Sequence, residues 1–289
     1  MKQSIMRSVL GFVLCLTGLI GMMGSVQGAD WPARPVLAEA IDHPVRSDGN
    51  RERDKYRHPA AVLQFFDVQP QMTIVEIWPA TGWWTEILGP YTHDRGVYYA
   101  AGFSMTADRE PQWRRDVQKD FAEKLERNPD VYDHIVMTEL SVPERTTIAP
   151  PGSVDRVLTF RNVHNWMKGE YAEGVFAALY RALKPGGILG VVEHRAKPGT
   201  DLETMIRTGY VTEAYVIELA EKAGFTLQER SEINANKKDS ADHPVGVWTL
   251  PPSLRYCGNL PDEQQAPCRL KYRAIGESDR MTLKFVKAK

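Results

Sequence analysis

The 289-residue sequence predicts an α/β fold, with helices on both faces of a mostly parallel sheet. Three observations support this. Short apolar runs recur along the chain, stretches with helical spacing lie between them, and turn residues such as Pro185-Gly186-Gly187 stand at the joints. Strands alternating with helices at this spacing favour parallel pairing, because each crossover must carry the chain back over the sheet.

The elements follow in order. His58-Pro59 opens a helix, with proline in its first turn, and Ala61, Val62, Phe65 and Phe66 give it an apolar face. Residues 73–77 form a buried strand, and Thr81-Gly82 leads into a helix through Thr85, Ile87 and Leu88. Residues 96–101 are a second strand. Residues 111–126 carry Trp113, Val117, Phe121 and Leu125 at a spacing of four, an amphipathic helix. Strands are expected at 134–140 and 154–160. A helix over 169–183 is stopped by Pro185 and its glycines, and an apolar strand follows at 188–193. A helix over 212–223 ends at Gly224. Strands at 225–230 and 281–286 close the chain, with 245–250 a further short strand candidate.

Apolar residues make up 43% and charged residues 25%, which excludes a disordered tail, a collagen-like repeat and a multi-span membrane protein. Lys+Arg is 36 and Asp+Glu is 37, so no basic excess points to nucleic acid as a partner. Lys2 and Arg7 precede an apolar run over 9–23 and a small-residue exit, the pattern of a secretory signal peptide over 1–28. Cleavage is expected after Gly28, with Ala29 the alternative. The run is shorter than the roughly 20 residues of a spanning helix, so no stable membrane anchor is expected after cleavage. The expected location is periplasmic or secreted.

The mature chain loses Lys2 and Arg7 and no acid, leaving 34 basic and 37 acidic residues. It keeps Cys257 and Cys268. In an oxidising compartment these favour a disulfide over two free thiols. Residues 29–56, rich in Pro, Asp and Arg and without periodicity, are expected to form an extended arm. The main domain is expected over 57–289, with 251–278 a loop insertion before the last strand.

Two stretches carry chemistry. In TIVEIWPATGWWTEIL, from Thr73, a strand ends in an acid, and a tight loop leads to a helix. Ligands of such folds sit beyond the carboxyl ends of the strands. Loop amides there can receive an anionic group. In ALKPGGILGVVEH, from Ala182, a helix turns sharply into an apolar strand. Together with VDRVLTFRNVHNWM, AEKAGFTLQERSE and IGESDRMTLKF, these stretches resemble the class I S-adenosylmethionine-dependent methyltransferases. More narrowly, they resemble an exported bacterial group of methyltransferase-like proteins. The resemblance covers roughly residues 57–289. It implies a Rossmann-like three-layer sandwich and a seven-stranded, mostly parallel sheet of order 3-2-1-4-5-7-6. It also implies S-adenosylmethionine as cofactor and a small-molecule substrate.

The family's first motif reads acid-x-Gly-x-Gly-x-Gly. Here Glu76, Trp78, Ala80 and Gly82 fill those slots, and the resemblance makes them cofactor-binding candidates. Trp78 and Ala80 lack the freedom of glycine at positive φ, so the loop is expected to take another path or to hold the cofactor differently. The second strand lacks the acid that holds the ribose hydroxyls, and Ser104 is the substitute candidate. Asn162 lies beyond the fourth strand, as does His164, a candidate catalytic base because histidine as a residue type has a reference pKa near neutrality; its alternative role is structural. Asn165 and Trp166 are further candidates for lining this site. Trp78, Trp83, Trp84 and Trp166 are expected around its mouth. Glu193 and His194, adjacent in a strand, should face opposite ways and form no pair with each other. Residues 277–280 read as a polar turn with a local ion pair, with a substrate contact as the alternative. The histidines are scattered, so no metal site is expected. The competing function is a non-catalytic ligand-binding protein on a degenerate methyltransferase fold. A nicotinamide enzyme is disfavoured by the absence of Gly-x-Gly-x-x-Gly.

Overall fold

The computed structural model describes residues 36–108 and 110–289. The expected signal peptide lies outside the described residues.

The apolar runs do form strands. β1 (Thr73–Ile77), β2 (Val97–Gly102), β3 (Ile135–Glu139), β4 (Val154–Phe160), β5 (Leu183–His194), β6 (Phe225–Ser231) and β7 (Arg280–Lys287) build one sheet in the order β3-β2-β1-β4-β5-β7-β6. β1 to β5 pair in parallel, whereas β7 inserts antiparallel to both β5 and β6. This is the order the resemblance implied. Central β1 is buried on both faces (Ile74, Val75 and Ile77), as expected for a strand covered by helices on each side.

Thirteen α-helices are seen among the described residues: α1 (Leu37–Ile41), α2 (Asp48–Arg51), α3 (Asp54–Arg57), α4 (Pro59–Phe65), α5 (Thr85–Thr92), α6 (Gln112–Glu126), α7 (Pro129–Tyr132), α8 (Val163–Lys168), α9 (Ala172–Ala182), α10 (Leu202–Thr208), α11 (Glu213–Lys222), α12 (Arg255–Gly258) and α13 (Asp262–Ile275). α9 packs Val175, Phe176 and Leu179 on one side of the sheet, with β4 and β5. α4 and α5 pack Leu63, Phe66, Ile87 and Leu88 on the other. The crossovers therefore leave the carboxyl ends of β1, β4 and β5 open between two helical layers.

Three expectations need correction. Residues 36–56 are not extended but fold into helical turns α1, α2 and the start of α3. They are held by distant contacts: Arg46 grips both carboxylate oxygens of Asp54 at 2.7 Å, the Trp83 indole donates to the Asn50 carbonyl at 2.9 Å, and Arg53 donates to Glu277 at 2.6 Å. Residues 251–278 are not a loop but mostly helix. Asp262 and Glu263 sit in the first turn of α13, where acids complement the helix dipole, and Cys268 joins Cys257 in a disulfide. Finally, 245–250 is not a strand: Gly246–Thr249 is a 3₁₀ turn packed against α10 and α12.

Candidate functional site

A cavity of about 350 Å³ opens at the carboxyl ends of β1, β4 and β5. Its walls bring together segments far apart in sequence: Arg53 just before α3 and Arg57 at its end, Glu76 and the loop after β1, Arg161, Asn162, His164 and Asn165 after β4, His194 at the end of β5, and Glu277-Ser278 before β7.

The β1 loop has an unusual backbone. Trp78 lies at φ +48°, Ala80 at +52° and Gly82 at +77°, so all three slots where glycine was expected take left-handed conformations. For non-glycine residues this costs roughly 1–2 kcal/mol each. Packing offsets the cost at Trp78. Its ring meets Phe103 and Trp166 at centroid distances of 4.8 and 5.9 Å, and its indole donates to the Leu140 carbonyl at 2.9 Å. The Arg114 guanidinium caps the ring at 4.5 Å. Alternating conformations of this kind aim successive amides into one concavity. The Ala80 and Thr81 amides, on the cavity rim, have no hydrogen-bond partner among the described residues.

Glu76 ends β1 beneath this loop. Tyr98 and Thr85 both donate to its Oε2, leaving Oε1 without a partner among the described residues. Burial pushes its pKa up to about 7, against the opposing pull of the Tyr98 and Thr85 hydrogen bonds. Near neutrality this carboxyl exists in both forms and can accept or donate.

The β2 end departs from the family pattern. A side chain at Gly102 would meet the Gln118 amide at 2.1 Å, and Gln118 accepts from the Phe103 amide at 2.9 Å. The Gln118 amide of α6 thus packs closely against the end of β2, leaving no room for a side chain at Gly102. Ser104 is not brought to the cavity. Its hydroxyl donates to Glu139 at 2.8 Å and caps the local turn by accepting from the Thr106 and Ala107 amides.

The other candidates divide. Asn162 lines the cavity, but its amide donates to the Ile77 carbonyl at 2.8 Å, tying the β4 loop to β1. Asn165, Trp78, Trp83 and Trp84 also line it. Trp166 does not; it is fully buried beneath Trp78. Trp113, read from the sequence only as part of an apolar helix face, and Trp248, not singled out there, complete the aromatic wall.

His164 lines the cavity with its Nδ1 3.0 Å from Glu193 Oε1, while its backbone amide donates to Oε2 of the same carboxylate. A carboxylate partner fixes the tautomer, with Nδ1–H donating and Nε2 left basic. His194 reaches the Ser278 hydroxyl at 2.5 Å. Burial, then His164 and the Arg161, Arg280 and Arg57 guanidiniums, lower its pKa well below the usual value, so it is neutral. Glu193 and His194 share no side-chain hydrogen bond, yet they do not face opposite ways: the His194 backbone amide donates to Glu193 Oε1 at 2.8 Å, and the ligand atoms of the two side chains lie within 4.8 Å. Alternation along the strand could not show that Glu193 serves a histidine 29 positions away.

The turn at 277–280 is far more than a local ion pair. Glu277 accepts from Arg53 at 2.6 Å, from Arg57 at 3.3 Å and from Arg280 at 3.2 Å. Burial alone would raise its pKa, but Arg57, Arg280, Arg161 and Arg53 hold it down at about 2.

Two groups of metal-ligand type come together despite the expectation of none. In each of His164–Glu193–His194 and His93–Asp133–His134, the ligand atoms lie within 4.8 Å of one another. In the first, the His164–Glu193 bond and the nearby guanidiniums oppose a divalent cation. The second lies at the opposite end of the sheet, by the start of β3.

No family model matches the chain, and no curated protein sequence does. Solved structures match its fold. A Galdieria sulphuraria protein assigned as a sarcosine dimethylglycine methyltransferase superposes with a TM-score of 0.54 at 14% identity, over 86% of this chain and 91% of its own. The fold is the Rossmann-like methyltransferase fold. Phosphoethanolamine N-methyltransferase 2 of Haemonchus contortus, in complex with phosphomonomethylethanolamine and S-adenosylhomocysteine, superposes at TM-score 0.53 and 14% identity. It shares 88% of this chain and 61% of its own. The cyclase SpnF superposes at TM-score 0.52 and 15% identity, over 87% of this chain and 91% of its own. One fold thus carries methyl transfer and a cyclisation, so the reaction must be argued from the site.

Proposed function

We propose that this chain is an S-adenosylmethionine-dependent methyltransferase that acts on a small molecule in an exported compartment. The observation that carries the proposal is the left-handed run Trp78-Ala80-Gly82, which presents two unbonded amides above Glu76 at the rim of a cavity containing a His–Glu pair. The residues fit the cofactor at the β1 end. The Ala80 and Thr81 amides and Glu76 Oε1 would hold its polar groups, and the aromatic wall suits a flat base and a sulfonium. When bound, S-adenosylmethionine supplies an electrophilic methyl group on sulfur.

The protein's own residues supply position and proton transfer. Glu193 holds His164 in one tautomer, with Nε2 free to take a proton from the acceptor. The aromatic wall excludes water and limits the poses of the substrate, which is how most of the rate advantage of a methyl transfer arises. Export rests on the basic start and apolar run of residues 1–28. The Cys257–Cys268 disulfide suits an oxidising compartment.

The packed β2 end favours a second reading, a non-catalytic binding protein, because Gln118 packed at Gly102 leaves no room there for a carboxylate to hold ribose hydroxyls. Calorimetric titration with S-adenosylmethionine and S-adenosylhomocysteine separates the two. Saturable binding, weakened in Glu76→Ala, supports the methyltransferase. No binding up to millimolar ligand by a demonstrably folded chain overturns it and leaves the binding protein.

A further inference from the structure

Four guanidiniums converge on one carboxylate at the cavity floor. Arg53, Arg57 and Arg280 all donate to Glu277. Arg280 is otherwise satisfied by the Ser278 and Tyr56 carbonyls. The others are not. Arg57 has a side chain only 4% exposed, and its Nη2 has no partner. Arg53 Nη2 is likewise buried and unpaired. The Arg161 side chain makes no hydrogen bond or ion pair with any described residue, although it lines the cavity at a left-handed backbone position of φ +64°.

The remaining acids offset this charge only in part: Glu193 adds one negative charge near Arg161, and Glu76, bonded to Tyr98 and Thr85, lies near Arg57, which leaves positive charge in excess of Glu277. His194 is neutral. Burial lowers Arg161, yet only to about 10, so it stays charged at neutral pH. Buried charge without a partner is among the most costly features a fold can keep. Three guanidiniums at one cavity wall, that of Arg161 unbonded, are matched by an oxyanion, which planar guanidiniums grip with paired charge-assisted bonds.

We propose that Arg161, with Arg57 and Arg53, forms an oxyanion subsite in this cavity, which takes the carboxylate or phosphate of a bound small molecule. The subsite depends on the methyltransferase reading only for which molecule brings the anion, the cofactor through its carboxylate or the methyl acceptor.

The test is calorimetric titration of the purified chain with inorganic phosphate and, separately, acetate, at constant ionic strength. Saturable binding of at least one anion is expected. It should weaken about tenfold or more in Arg161→Gln and by less in Arg161→Lys, as loss of a charge-assisted contact requires. Arg53→Gln, at the better-exposed edge, gives a second variant should Arg161→Gln unfold. Repeating the titration with saturating S-adenosylhomocysteine separates the sources. Competition assigns the subsite to the cofactor's carboxylate, and unchanged anion binding assigns it to the acceptor. Anion binding by a chain that binds no S-adenosylhomocysteine keeps the subsite and removes the methyltransferase reading. No saturable anion binding, or equal binding by folded Arg161→Gln or Arg53→Gln, overturns the subsite.

Discussion

Glu193 holds His164 by two bonds at once: Oε1 lies 3.0 Å from the imidazole Nδ1, and Oε2 accepts from the backbone amide of the same residue at 3.3 Å. One buried carboxylate therefore sets both the position of the α8 start and the tautomer of its histidine. If His164 is the base, His164→Gln should lower kcat by about 10²-fold or more, the usual contribution of a positioned base, with cofactor affinity unchanged. Glu193→Gln should lower kcat by less and shift its pH profile. Steady-state kinetics across pH, beside calorimetry, checks both.

Glu76 gives the protein a pH-dependent stability. Its folded pKa of about 7 lies above the ordinary value of 4.5, so the native state binds the extra proton. Its contribution is fully present below about pH 4.5 and is lost as pH rises through 7. Glu76→Gln should remove this fall, an effect on the order of a few kcal/mol. Urea midpoints of both chains between pH 5 and pH 8 should converge at the acid end and separate at the alkaline end.

Glu277 works in the opposite direction. Held at about 2, its stabilisation is present above the ordinary carboxylate range and disappears as pH falls through 2. Glu277→Gln leaves three bonded guanidiniums without their counter-charge and should cost roughly 3–5 kcal/mol. Added phosphate should restore part of that loss in a thermal melt if the anion occupies the same corner.

Ala80 stands at φ +52° on the cavity rim with its side chain exposed. Ala80→Gly should relieve backbone strain and be neutral to stabilising by up to about 1 kcal/mol, the opposite of the usual sign for a glycine substitution. Chemical denaturation measures it.

The disulfide closes a loop of 11 residues in sequence separation. By the chain-entropy estimate, Cys257→Ala with Cys268→Ala should lose about 3 kcal/mol. Melting with and without reductant should show the wild type falling to the level of the double variant.

The sheet was legible because its evidence is local. Thr73 to Ile77, Val154 to Phe160 and the run from Ile188 declare themselves by clusters of β-branched and other apolar side chains, and the turns between them by proline and glycine. The site was legible only in part. Glu76, Trp78, Ala80, Asn162 and His164 were found by their place at or after a strand end, and they line the cavity; Gly82, found the same way, does not, and instead packs against Phe121 and Thr85. Ser104 was chosen by the same logic and points to Glu139 instead, because Gln118 of α6 already fills the β2 corner. The segment over 36–56 carried no periodic signal, since its turns are held by Arg46, Asn50 and Arg53 through contacts that sequence spacing does not show. Arg161 and Glu277 lay in stretches the sequence singled out, but their roles did not show there, because the convergence of charge exists only in three dimensions.

The Arg57–Glu277 contact spans 220 positions of chain. The cavity is therefore a seam sewn between two remote segments rather than a hole in the sheet. Opening that seam, by fraying of α3 or release of residues 277–280, would abolish the pocket while β1, β4 and β5 stayed paired. Amide exchange along α3 should then slow when a ligand fills the cavity, with the central strands unaffected, so that occupancy is recorded at the seam before it is felt in the core.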